Sequence, residues 1–82
     1  EKEGKPLAEQ ENVTYISNSE ALGIALAHAG LRDEDVKAPS SEPDFENGKT
    51  VYEIEFEHGG YEYEYVIDAK SGEILHTEKE KD

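Results

Sequence analysis

Two runs of the chain, Thr50–His58 and Tyr61–Asp68, alternate apolar and polar residues with period two, and Gly59-Gly60 joins them. Such alternation is the mark of a half-buried strand, and a two-glycine link between two such runs is a hairpin signal. Pairing His58 with Tyr61 across the turn sets Tyr52, Ile54 and Phe56 opposite Ile67, Tyr65 and Tyr63. The other face then sets Glu57 opposite Glu62 and Glu55 opposite Glu64. A slip of one residue would turn every apolar side chain to water, so this register is strongly constrained. Like charges directly opposite one another weaken a ladder. The acidic face must therefore be well solvated or bound to something positive.

The flanking segments fit the same frame. Asn47-Gly48 is a two-residue hairpin signal. Pairing Glu46 with Lys49 places Phe45 opposite Thr50, on the face of Tyr52 and Ile54. Val36–Phe45 contains Pro39 and Pro43, which cannot donate ladder hydrogen bonds, so it is expected as an edge strand or an extended loop. After Asp68, the loop Ala69–Gly72 closes a third hairpin, with Gly72 supplying a positive φ. That closure sets Ile67 against Ile74 and Tyr65 against His76. The charged segment from Glu78 is expected to fray, with residues 80–82 as a tail.

Upstream lies one helix with clear punctuation. Ser17 is the candidate N-cap, and Glu20 completes a capping box three residues on. Ala21, Leu22, Ala25, Leu26 and Ala29 recur at helical spacing with Ile24 beside them. Gly30 is placed to end the helix in a left-handed conformation. The alanines let the helix lie close on a sheet. The expected fold is α+β in two layers: one capped helix on one face of an antiparallel meander of three to four strands. The covered face comprises Phe45, Tyr52, Ile54, Phe56, Tyr63, Tyr65, Ile67 and Ile74. Residues 1–14 are polar, with a glycine and a proline, and read as a linker. Val13 and Tyr15 could add a short strand. The folded domain is expected over residues 15–79.

Charge and composition narrow the function. Twenty-one acidic and 8 basic side chains give a formal net charge of −13 over 82 residues. Phosphate backbones and anionic membrane surfaces are repelled by such a field. Cations or a basic protein patch are attracted by it, and solubility alone also accounts for it. No apolar run approaches the ~20 residues of a membrane span, and no signal peptide is visible. There is no cysteine, hence no disulfide or thiol chemistry. The chain starts at Glu1 rather than methionine, which reads as a piece of a longer protein.

In order and spacing these residues resemble the PepSY family, named for peptidase propeptides and the YpeB spore protein. The resemblance starts at Ile16-Ser17 with Glu20-Ala21 and runs through Ala25 to Ala29-Gly30-Leu31. It continues with Val51-Tyr52-Glu53-Ile54-Glu55-Phe56 and Gly60-Tyr61-Glu62-Tyr63. Its most specific piece is the closing hairpin Ile67-Asp68-Ala69-Lys70-Ser71-Gly72-Glu73-Ile74-Leu75. The resemblance implies an extracytoplasmic bacterial module, secreted or anchored in the cell envelope, without catalytic residues. It implies inhibition or regulation of a secreted peptidase; the alternative is a spacer or sensor module that works through protein contacts. It implies no cofactor.

Candidate chemistry is sparse. His28 sits near the helix end, where a cation suits the dipole. His58 flanks the glycine turn and is expected exposed. His76 is expected at the core rim opposite Tyr65. No His-x-x-x-His pair exists, so no zinc site is expected. Glu53, Glu55, Glu57, Glu62 and Glu64 form the candidate interaction surface, with Val66 and Leu75 pointing outward opposite one another and Val51 nearby. The same carboxylates could associate weakly with cations, although calcium takes six to eight oxygen ligands, which sheet carboxylates rarely supply. Nothing in the sequence sets an oligomeric state.

Overall fold

The computed structural model describes residues 14–82. The segment expected as a linker, together with Val13 of the possible extra strand, therefore lies almost wholly outside the described residues. Helix α1 spans Asn18–Ala29, and a short 3-10 turn, Asp33–Asp35, follows it. Four strands complete the chain: β1 (Lys37–Glu46), β2 (Lys49–His58), β3 (Tyr61–Asp68) and β4 (Ile74–Lys81). They form one antiparallel sheet in the order β1-β2-β3-β4, a meander with α1 on one face.

The helix forms where its punctuation places it. The Ser17 hydroxyl accepts from the Glu20 amide at 3.1 Å, and the Glu20 carboxylate accepts from the Ser17 amide at 2.8 Å. Two of the unpaired donors of the first turn are thereby satisfied. At the other end Gly30 adopts φ +76°, and the amides of Gly30 and Leu31 donate to the carbonyls of Ala27 and Leu26. Ala21, Ala25 and Leu26 are buried against Ile54, Phe56, Tyr65 and Ile67. Phe56 stacks on Tyr63 with ring centroids 5.1 Å apart.

The β2–β3 register has Tyr52, Ile54 and Phe56 opposite Ile67, Tyr65 and Tyr63, with both glutamate pairs on the other face. Phe45 does pair with Thr50. It is nevertheless 70% exposed, because the β1–β2 hairpin carries it away from the buried cluster. Expecting Phe45 under the helix was an error of reach, not of register. β1 is an edge strand, irregular between Lys37 and Ser40, where Ala38 sits at φ 50° beside Pro39.

The β3–β4 hairpin closes on Asp68. Its carboxylate accepts from the amides of Lys70 (2.7 Å) and Ser71 (3.1 Å), and its amide donates to the Glu73 carbonyl (2.8 Å). Gly72 takes φ +79°, and a Cβ there would stand 3.1 Å from Ile24 Cδ1 of the helix. The loop also fastens the start of the domain. The amide of Ile16 donates to the Ala69 carbonyl, and the amide of Ala69 to the Thr50 carbonyl.

β4 corrects three expectations. Ile67 pairs with Ile74, but Val66 pairs with His76 and Tyr65 with Thr77. Leu75 is the extra residue of a bulge, so Leu75 and His76 together face Val66. His76 therefore leaves the core rim for the open face, and Val66 does not stand directly opposite Leu75. The end of the chain is also paired rather than frayed, with β4 continuing to Lys81 and the Asp82 amide donating to the Gly60 carbonyl at 2.8 Å. Pairing there satisfies the backbone groups of β3 and lets Lys79 lie over the rings of Tyr61 and Tyr63, 4.7 and 5.3 Å from their centroids.

Candidate functional site: the open face of the sheet

Period two sends the side chains of β2, β3 and β4 alternately toward α1 and away from it. On the far side, Glu55, Glu64 and Glu78 stand in one cross-strand row, and Glu57, Glu62 and Glu80 in the next. The sequence reading had the first two members of each row. The bulge supplies the third, because it shifts β4 by one residue and brings Glu78 and Glu80 to this face while Lys79 and Lys81 turn to the other. The carboxyls of Glu62 and Glu64 are held above the ordinary carboxylate range. Loss of hydration is the first cause for both. Neighbouring carboxylates follow: Glu55 for Glu62, and the Glu78 partner for Glu64.

Near the Asn47-Gly48 turn a tighter acidic group forms. Asp44, Glu46 and Glu53 bring carboxylate oxygens within 4.8 Å of one another. Glu53 is pushed up to about 7, first by hydrogen bonding to Glu46 and then to Asp44. Asp44 moves the other way, because the Phe45 amide donates to it at 2.8 Å. With one oxygen from each, the group brings together three of the six to eight ligands calcium takes. Only Glu53 of this group was singled out from the sequence. The Glu46–Lys49 pairing carried the signal for the other two, since it puts Asp44 and Glu46 on the face of Glu53.

Between the acidic group and the glutamate rows lies an apolar depression of about 330 Å³ whose floor is Val51, Val66 and Leu75, with His76 at its side. Val51 is only 1% exposed, although it points away from the helix and lies outside the main buried cluster. It does lie beside Val66 and Leu75, as the sequence placed it, but it is closed off rather than open. Leu75 is 40% exposed and open to contact. Lys49 borders the depression and lies 3.5 Å from Asp68 Oδ2, a carboxyl kept low chiefly by the amides of Lys70 and Ser71.

Two of the three histidines take structural positions on the other side. His28 Nδ1 lies 3.0 Å from the Tyr65 hydroxyl, with the two rings edge to face. His58 is half-buried rather than exposed, because its Nδ1 donates to the Asp35 carbonyl at 2.8 Å and so fixes its tautomer. His76 Nε2 lies 3.9 Å from Glu78 on the open face. No helix among the described residues is long and apolar enough to cross a membrane.

Comparison with known proteins adds a family. The model described as "PepSY: Peptidase propeptide and YPEB domain" matches residues 15–78. The chain is also 43% identical over 65 residues to "Uncharacterized protein Spy1430" of Streptococcus pyogenes serotype M6, a match covering 79% of this chain and 50% of that protein. The chain thus spans about half the length of that relative. No solved structure matches it.

Proposed function

The chain belongs to the PepSY family of peptidase propeptide and YPEB domains, and from that premise we propose that it is a non-enzymatic module acting outside the cytoplasm, where it binds and restrains a secreted peptidase. The observation that carries this reading is the match over residues 15–78, which takes in the capped helix and all three hairpins. The placement of the titratable groups supports it. His28 and His58 are engaged with Tyr65 and with the Asp35 backbone, so neither stands beside a nucleophile as a general base would.

A second reading, a spacer or sensor module that works through protein contacts, is favoured by the glutamate rows of the open face. It also suits a chain that corresponds to half of a longer relative. A weakly cation-binding acidic domain is a third reading, resting on Asp44, Glu46 and Glu53. The test is co-incubation of the 82-residue chain with secreted metallopeptidases of the producing organism. The chain alone should hydrolyse no peptide, and at micromolar concentration it should slow the peptidase or assist its refolding. If the peptidase is unaffected, the peptidase reading fails and the protein-contact reading replaces it.

A further inference from the structure

The open face joins three properties that the helix-covered face lacks. No described element packs on it. Lys37 stands across the β1–β2 ladder from Glu57 at the edge of one row, but none of the six glutamates forms an ion pair with a lysine or arginine among the described residues: Lys79 and Lys81 lie on the opposite side, and Lys49 is engaged with Asp68. Beside the rows, an apolar floor ends in the exposed Leu75.

Charge selects the occupant. A second copy would bring the same acidic face and the same −13 net charge, and nucleic acid or an anionic bilayer is repelled for the same reason. Small cations would neutralise the rows but leave the apolar floor uncovered. We propose that this face docks a basic, amphipathic protein segment, with lysine or arginine side chains over the Glu55–Glu64–Glu78 and Glu57–Glu62–Glu80 rows and one apolar side chain seated on Val66 and Leu75. The proposal rests on the reading of the domain as a non-enzymatic module and names the chemistry of its partner. The raised carboxyls of Glu62 and Glu64 agree with it, because an incoming cation offsets both their lost hydration and the neighbouring carboxylates. The apolar seat orients the segment, and the charges set its rate of encounter and its salt dependence.

The experiment needs no peptidase, so its result is independent of the co-incubation assay. The probe is a 12-residue synthetic peptide with lysine at alternate positions, threonine between them and one central leucine. It is titrated into the isotope-labelled 82-residue chain by calorimetry and amide NMR, at about 50 and about 300 mM sodium chloride. A glutamate version of the peptide, a version with glycine for its leucine, and spermine serve as comparisons.

Shifts should concentrate at Glu55, Glu62, Glu64, Val66 and Leu75. Affinity should fall by about tenfold or more in Glu55→Gln/Glu64→Gln and at the higher salt. Leu75→Ser should lower it by about threefold or more while leaving the salt dependence unchanged. Both variants lie outside the buried cluster, and melting curves are to be recorded to check that each folds. Equal binding by the variants would overturn the proposal. So would shifts centred on the helix or on Tyr61 and Tyr63, or spermine matching the peptide while Leu75→Ser has no effect.

Discussion

The two faces of this sheet are made by the same strands, in many places by adjacent residues, and they are held in place by different forces. Toward α1, Ile54, Phe56, Tyr65 and Ile67 are closed off by Ala21, Ala25 and Leu26, and the rings stack within 5.1–6.0 Å. Away from α1, Glu55 and Glu57 of β2 meet Glu64 and Glu62 of β3, which in turn meet Glu78 and Glu80 of β4. One face supplies the burial that holds the domain together. The other forgoes favourable cross-strand pairs and keeps carboxylates above their ordinary range. A small domain has little stability in hand, so a face that opposes folding is tolerated only because the opposite face is well packed.

The sharpest break in that comparison is made in the core. Ile54 is 1% exposed on the helix side, and Ile54→Ala should cost ~2–5 kcal/mol, enough to unfold the domain. Val51 is equally buried but lies on the open face, where there is no second layer. Val51→Ala should cost about 1.5–2 kcal/mol, the transfer value of two methylene groups. Thermal melting of the two variants measures the difference. Equal losses would mean that the open face packs as tightly as the covered one.

Acidity acts mainly on the open face. Glu53 is pushed up to about 7 from an ordinary 4.5 by its hydrogen bonds to Glu46 and Asp44. A carboxyl that is harder to ionise in the folded chain contributes stability in full below about 4.5 and loses it as pH rises toward about 7. Glu62 and Glu64 act in the same direction. Asp35, Asp44 and Asp68 are lowered, chiefly by backbone amides, and their contribution is present above 3.8 and lost as pH falls below it. Melting temperature should therefore peak in the mildly acidic range, roughly pH 4–5, and decline toward neutrality. Glu53→Gln should flatten that decline. A melting temperature that climbs steadily to pH 7 would contradict the assignment.

The smallest effect separates repulsion from a dedicated cation site. Sodium chloride should raise stability modestly by screening the glutamate rows over a Debye length of ~8–10 Å. Millimolar calcium at matched ionic strength should add nothing further, because only a bound ion stabilises by mass action. A calcium-specific rise in melting temperature, lost in Glu53→Gln, would turn the Asp44–Glu46–Glu53 group into a metal site.

Local chemistry accounts for what was legible in the residues alone. The capping box of Ser17 and Glu20, the stop at Gly30, the turns at Asn47-Gly48, Gly59-Gly60 and Gly72, and the β2–β3 register each rest on a few adjacent residues and a fixed period. For that reason the glutamate pairs of β2 and β3, and the apolar face opposite them, could be written down before any fold. The bulge at Leu75 has no such local signature. It follows from fitting β4 against β3 and, once made, it moves His76 outward, carries the strand to Lys81 and completes both glutamate rows. Burial was likewise decided in three dimensions. Phe45 obeys its register yet lies beyond the buried cluster, and Val51 faces away from the helix yet is sealed by its neighbours. Alternation decides which way a side chain points. What covers it depends on where distant segments come to rest, and that is settled only by the packing of the whole chain.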